Sequence, residues 1–178
     1  MRLSDNFFLK EFLVSNVATR RGFILDPPKD DIRNLQLLCM KVLQPLRDKI
    51  GRPIRINSGW RSAELNKAIG GAYKMDYTNT YQGQYIATSA HCKGQAADIK
   101  YVDKKGKVDN KFLFDTILDL GIEFDQMINE FNYSWIHISY VEEKVIDGVY
   151  RKNNRNQLLE AYREKGSNKT KYKIKKKK

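Results

Sequence analysis

Apolar side chains recur every three or four positions between residues 32 and 50, which is the spacing of one buried helical face. The positions that share this face are Leu35, Leu38, Cys39, Val42, Leu43 and Leu46. Pro45 falls inside the run and should end or kink the helix, because proline lacks the backbone N–H of the helical ladder. Weaker patterns predict short helices over 6–19, 62–69, 110–120 and 156–164.

Alternating apolar and polar residues predict strands over 54–57, from 95 to 102, and over 124–130 and 135–140. Only four residues, 131–134, separate the last two segments, which favours an antiparallel hairpin with Glu130 opposite Trp135. Helices at the start, followed by mixed helices and strands, indicate an α+β fold. Its expected form is a small antiparallel sheet with flanking helices.

The chain contains two histidines, His91 and His137, and both lie in short segments that resemble strands. His91 precedes a Lys-Gly turn signal and is followed by Asp98, so chain reversal at Gly94 would bring the imidazole beside the carboxylate. In the second segment, Ile136 and Ile138 flank His137 and should face away from it. Two imidazoles and one carboxylate match the three protein ligands of a catalytic zinc ion. A single histidine in a strand is more often a hydrogen-bonded core or surface residue, so spacing alone leaves both interpretations open.

Several motifs jointly resemble the zinc D-Ala-D-Ala carboxypeptidase family, which includes peptidoglycan carboxypeptidases, D,D-dipeptidases and phage endolysins. Residues 89–98 read Ser-x-His-x-x-Gly-x-Ala-x-Asp, and residues 135–139 read Trp-x-His-x-Ser. Residues 58–62 resemble the family's Ser-Gly-aromatic-Arg-Ser segment, and the opening Phe-x-x-Glu-Phe at 8–12 resembles its phage-type branch. The resemblance covers residues 6–163 and implies a hedgehog-type, D,D-peptidase-like fold.

The resemblance implies a Zn²⁺ site on His91, Asp98 and His137 that hydrolyses peptidoglycan stem peptides. It also implies that Arg61 polarises the substrate carbonyl or stabilises the oxyanion. Ser89 would bind the substrate carboxylate, and Ser62 is a weaker candidate for the same role.

The sequence departs from the family at the general base. Family members place a glutamate three residues before the last histidine or a histidine two before it, but Ser134 and Trp135 occupy those positions. The hairpin register favours Glu130 instead, because it would share a face with His137. If the pairing of the two strands were shifted by one residue, Asp125 would lie on that face instead of Glu130. The missing family base keeps open an alternative: a weak or inactive wall-binding or virion-associated module on the same fold.

The net charge of +12 is concentrated at the end of the chain, where residues 169–178 hold seven lysines and no acid. This composition predicts one domain over 1–168 and a disordered basic tail over 169–178. The tail would suit anionic wall polymers. Nucleic acid is a weaker partner, because no zinc-finger or RNA-binding signature accompanies the lysines.

The first residues lack the apolar run of a secretory signal, and no stretch is long enough for a membrane span. We therefore expect a monomer made in the cytoplasm that acts at the cell wall, as a phage lysin or virion-associated enzyme does. Residues 72–88 contain four tyrosines and look like an insertion, which would form a surface loop, or a lid or sugar-stacking wall beside the metal. The sequence leaves open which peptide bond is cut.

Overall fold

The structure is a computed structural model that describes residues 1–78, 80–142, 144–146, 149–151 and 154–175. Its helices are α1 Leu9–Phe12, α2 Asn16–Arg21, α3 Lys29–Leu38, α4 Gln44–Ile50, α5 Ala63–Ala68 and α6 Asn110–Asp119. Its strands are β1 Ile54–Ser58, β2 Tyr73–Asp76, β3 Gln84–Ala87, β4 Ala96–Tyr101, β5 Gln126–Glu130, β6 Trp135–Ser139, β7 Lys144–Ile146, β8 Val149–Arg151, β9 Gln157–Tyr162 and β10 Lys171–Ile174. The α+β class is confirmed.

The long amphipathic helix forms, but in three parts. α3 leads into a π-helical turn, Cys39–Leu43, which continues directly into α4. In this turn the Gln44 N–H bonds to the Cys39 carbonyl, five residues back. The helix thus passes Pro45 without ending, because the hydrogen-bond pattern changes just before the residue that cannot donate. The predicted first helix is divided into α1 and α2, since Ser15 caps the start of α2 through its hydroxyl.

Six strands form the main sheet in the order β1-β4-β6-β5-β9-β10. All neighbours are antiparallel except β5 and β9, which are parallel. The sheet is therefore larger than the small antiparallel sheet that the sequence predicted. β2 pairs with β3, and β7 with β8, in two separate hairpins.

The hydrophobic core lies between one face of this sheet and the helices. Side chains of α3, α4 and α6 pack there against Ala97, Ile99, Ile136 and Ile138 of the central strands. These residues alternate along β4 and β6 with the candidate metal ligands, as the period of a strand requires. The sheet face opposite the core therefore carries the polar side chains, including the candidate metal ligands Asp98 and His137. No helix among the described residues is long and apolar enough to cross a membrane.

The C-terminal part of the chain differs from its predictions. The segment predicted as a helix over 156–164 is β9. Asn156 starts it by donating its N–H to the Phe124 carbonyl and accepting the Phe124 N–H on Oδ1. Leu158 then packs in the core, whereas Leu159 and Ala161 face the other side. Pairing with β5 has overridden a local pattern that also fits a helix.

Within the segment predicted as a disordered tail, Lys171–Ile174 form β10 on the edge of the sheet. Lys-Tyr-Lys-Ile alternates polar and β-favouring residues, which suits an edge strand carrying lysine. Lys171 is 2.7 Å from a Glu164 carboxylate oxygen, and Lys175 donates to the Tyr133 hydroxyl at 2.7 Å. These two lysines therefore contact other parts of the folded chain. Residues 176–178, the end of the predicted tail, lie outside the described part of the chain.

Candidate metal centre

His91 lies on a 3₁₀ turn, Ala90–Lys93, and not on a strand as the sequence suggested. Gly94 ends the turn in the left-handed conformation, with φ of 64°, and reverses the chain into β4. A Cβ atom at Gly94 would lie 2.1 Å from the Asp31 carbonyl oxygen. The position therefore requires glycine for both its φ and its space. The reversal predicted from the Lys-Gly signal brings His91 next to the strand that carries Asp98.

Asp98 on β4 and His137 on β6 are directly opposite each other in the antiparallel register. Opposite residues of such a pair point to the same face of the sheet. Ile136 and Ile138, which flank His137, point to the core face and are fully buried. The alternation predicted around His137 is confirmed, and it fixes the imidazole and the carboxylate side by side.

Three donor atoms converge at this point. His91 Nε2 lies 3.2 Å from His137 Nδ1 and 3.4 Å from Asp98 Oδ1, and the last two atoms are 2.9 Å apart. Ligands bonded to one tetrahedral zinc at about 2.0–2.2 Å lie about 3.3 Å from each other. The three donors can therefore hold one ion of that size with small adjustments, and a fourth coordination position would remain for water or substrate.

Neighbouring groups fix the orientation of each ligand. His91 Nδ1 is 2.7 Å from the Gly59 carbonyl, so the protonated nitrogen faces the backbone and Nε2 faces the cluster. A Cβ at Gly59 would come within 2.5 Å of the Phe12 backbone, which explains a glycine there. Arg61 Nη2 donates to Asp98 Oδ2 at 2.9 Å, leaving Oδ1 for the cluster, and also to the Ser58 hydroxyl. Arg61 therefore reaches the site and holds the carboxylate.

The ionisation states suit metal binding. Burial lowers the pKa of His91, and this outweighs the opposing charge of Asp98, so the imidazole is neutral near neutral pH. Burial would raise the pKa of Asp98, but the two histidines outweigh it and hold the pKa of this carboxyl well below its usual range. A neutral imidazole at His91 and an ionised carboxylate at Asp98 are the forms that bind a divalent ion without first losing a proton.

Glu130 lies opposite Trp135 at the end of β5, in the register that the four-residue connection predicted. Ile128, two residues earlier, is opposite His137, so Glu130 and His137 share the face that bears the metal ligands. Burial, together with the charge of Asp98, raises the pKa of Glu130 to about 6 against the opposing effect of His137. This carboxyl can therefore both accept and return a proton near neutral pH.

The other candidates take different positions. Asp125 is engaged by Arg155, whose Nε and Nη2 donate to its two oxygens at 2.6 and 2.7 Å. Ser62 caps α5, accepting the Leu65 N–H on its hydroxyl oxygen. Ser89 precedes the turn that carries His91 and lines the same cleft as the three candidate metal ligands.

The cluster opens into a cleft of about 910 Å³ that is large enough for a peptide. The 72–88 insertion forms the β2–β3 hairpin, in which the rings of Tyr73 and Tyr85 stack 5.0 Å apart. Ala72 and Thr88, just outside these strands, line the cleft. The hairpin therefore lies beside the three candidate metal ligands, and its role as a lid stays a prediction.

Sequence reasoning missed the opposite wall, which comes from the C-terminal strands. The residues that β9, β10 and their connection contribute to the cleft are Leu159, Arg163, Thr170 and Tyr172. The available signal was the alternation of Lys-Tyr-Lys-Ile at 171–174, which the high lysine content obscured.

Comparison with known proteins gives one finding. A protein-family model described as Peptidase M15 matches residues 5–139, a range that includes both histidines, Asp98, Arg61 and Glu130. No curated protein matches the sequence.

Proposed function

Since the chain belongs to the peptidase M15 family and is thus a metallopeptidase, we propose that it is a zinc enzyme that hydrolyses peptidoglycan stem peptides. The observation that carries this proposal is the convergence of His91, Asp98 and His137 in a cleft that also holds Glu130 on the same face. The reaction would be hydrolysis of a peptide bond, either at the end of the stem as a carboxypeptidase or within it as an endopeptidase.

The donor set supports zinc as the ion. Two imidazole nitrogens and one carboxylate oxygen are typical ligands of catalytic zinc, with a fourth position left for water. A zinc ion there would lower the pKa of its bound water to about 7 and polarise the scissile carbonyl. Asp98 would stay ionised throughout, because Arg61 and both histidines surround it.

Glu130 is the proposed general base. Its carboxylate shares a sheet face with His137, and its pKa of about 6 leaves it mostly ionised at neutral pH. It would take a proton from the attacking water and return it to the leaving amine. Glu130 would thus replace the acid or histidine that the family pattern places at 134 or 135. Asp125 is a weaker choice, because its ion pair with Arg155 stabilises the ionised form and occupies both oxygens.

Arg61 and Ser89 are proposed to act on the substrate from the other side of the cluster. Arg61 is fixed by Ser58 and Asp98, so its positive charge lies beside the carboxylate ligand and can stabilise the oxyanion. Ser89 lines the cleft, where its hydroxyl can bind a substrate carboxylate. Ser62 is not proposed for this role, since its hydroxyl caps α5.

A binding module without turnover is the less favoured alternative. Its main support was the missing family base, and Glu130 supplies a buried carboxyl with a raised pKa on the required face. Attraction of wall polymers through the C-terminal lysines also remains a proposal. Lys171 and Lys175 already contact Glu164 and Tyr133, so they are less available for such a partner.

Digestion of defined peptidoglycan by the zinc-loaded protein tests the function, with soluble products identified by mass spectrometry. We expect products that disappear with a chelator and return with added zinc. Free D-Ala would identify a carboxypeptidase, and cleaved stem peptides would identify an endopeptidase and the bond. A protein that binds zinc stoichiometrically but releases no product would contradict the proposal.

A further inference from the structure

The C-terminal β9–β10 hairpin extends the catalytic face of the sheet beyond the family-matched region, which ends at residue 139. Leu159, Ala161 and Tyr172 lie on this face, and Arg163 and Thr170, in the connection between the two strands, line the same cleft. The alternate residues Glu160, Tyr162, Lys171 and Lys173 lie on the other face. There Lys173 pairs with Glu160 and stands over the ring of Tyr162.

Pairing across three strands aligns this wall with Glu130. Glu130 pairs with Ala161 in the parallel register, and Ala161 pairs with Tyr172 in the antiparallel one. Ala161 has only a methyl side chain, so nothing large separates Tyr172 from Glu130 in this row. Burial is the main cause that raises the pKa of the Tyr172 hydroxyl, and the negative charges of Glu130 and Asp98 raise it further. The effect of these two carboxylates agrees with a hydroxyl that faces them.

Arg163 is the cation at the far end of this wall. Its guanidinium carbon lies 4.8 Å from the centroid of the Phe131 ring. Phe131 follows Glu130 directly, has a positive φ of 47° and also contacts Trp135. In the described part of the chain, Arg61 and Arg155 pair with acids, whereas Arg163 forms no ion pair. The guanidinium is thus held over an aromatic face, and its N–H groups remain available for an anion.

We propose that Arg163, together with Tyr172 and the apolar floor formed by Ile128, Leu159 and Ala161, is a subsite for a carboxylate of the substrate peptide. This inference rests on the proposed function and adds to it the acidic character of the peptide. The carboxylate would accept from Arg163, and the peptide backbone would cross the floor between Tyr172 and Phe131.

The dimensions suit a residue some way from the scissile bond. Phe131, which lies under the Arg163 guanidinium, is three residues beyond Ile128, and Ile128 is opposite His137. An extended chain advances about 3.3 Å per residue, so about 10 Å, or about three peptide residues, separates the guanidinium from the row of the metal ligands. The subsite would therefore read an acidic group within one stem peptide or its cross-link, rather than the terminal carboxylate next to the cut bond.

The test measures binding separately from turnover. Two synthetic stem peptides that differ only in having a free or an amidated internal carboxylate are titrated into the zinc-loaded Glu130→Gln protein, which leaves them uncut. We expect about tenfold tighter binding of the free acid, since a charged hydrogen bond of about 1.4 kcal/mol gives that ratio. Adding Arg163→Gln should abolish the difference. Adding Lys173→Gln, on the opposite face of the same hairpin, should leave it unchanged.

Equal affinity for the two peptides, absence of binding, or a preference that survives Arg163→Gln would overturn the subsite. Failure of the proposed function looks different. If wild-type protein cleaves neither peptide while the Arg163-dependent preference is present, the carboxylate subsite stands and the peptidase proposal falls. If the peptides are cleaved but bind equally, only the subsite falls.

Discussion

The two faces of the central strands show how one stretch of chain can serve both stability and chemistry. On one face, Ile136 and Ile138 are fully buried against the helices. On the other face of the same strand, His137 meets Asp98, and the neighbouring strand adds Glu130. The difference arises only from the alternation of side chains along a strand, with a period of two residues.

The two faces obtain their order by different means. The core face is held by apolar burial, which is not directional and tolerates swaps of similar volume. The face that bears the candidate metal ligands carries charge, so each polar group depends on a specific partner. Asp98, for example, is held by Arg61 on one oxygen and by His137 on the other. Substitutions on the first face should therefore change stability, and substitutions on the second should change activity.

The largest difference between the effect on activity and the effect on stability is expected for Glu130→Gln. Removing the proposed general base should lower kcat by about 10²–10⁴-fold while zinc binding and the melting temperature stay close to wild type. Glu160→Gln is the matched control, because Glu160 lies one residue before Ala161 and on the opposite face of β9. Hydrolysis that survives undiminished in Glu130→Gln would remove Glu130 from the mechanism and return attention to Asp125.

The opposite result, a loss of stability without loss of the metal site, is expected for Ile138→Ala. Ile138 lies on the core face between Ala97 and Met127. Loss of this fully buried side chain should cost about 2–5 kcal/mol of the free energy of unfolding, measured by denaturant titration. The folded variant should still bind one zinc ion, since Ile138 points away from the cluster. Ile174→Ala, at a side chain that is 76% exposed, should change stability by less than about 0.5 kcal/mol. Similar costs for both variants would contradict the assignment of the two faces.

The smallest effect is expected for Ser62→Ala, which tests a residue first considered for substrate binding. Its hydroxyl caps α5, so the substitution should cost about 1 kcal/mol of stability and leave KM unchanged. Ser89→Ala, at a serine that lines the cleft, should raise KM with little change in stability. An increase in KM for Ser62→Ala without loss of stability would reverse these two assignments.

Local patterns predicted much of the geometry of the face that bears the candidate metal ligands. The Ile-His-Ile alternation gave the orientation of His137, and the four-residue connection gave the register that places Glu130 opposite Trp135. The Lys-Gly signal located the reversal at Gly94. Each of these features is decided within a few residues of chain, where turn chemistry and side-chain period leave few alternatives.

The C-terminal wall could not be predicted in the same way. β9 exists because it pairs with β5, about thirty residues earlier, and its two adjacent leucines suit a helix equally well when viewed alone. β10 then depends on β9, and its lysines have the composition of a disordered tail. The role of Arg61 in holding Asp98 also required the structure, since 37 residues separate the two along the chain.

Titration of zinc into the metal-free protein, followed by calorimetry, tests the central claim most directly. The account predicts one ion per wild-type chain, and much weaker binding by a His137→Ala variant whose circular dichroism is unchanged. Absence of binding, or equal affinity in the two proteins, would contradict the claim that His91, Asp98 and His137 form the metal centre.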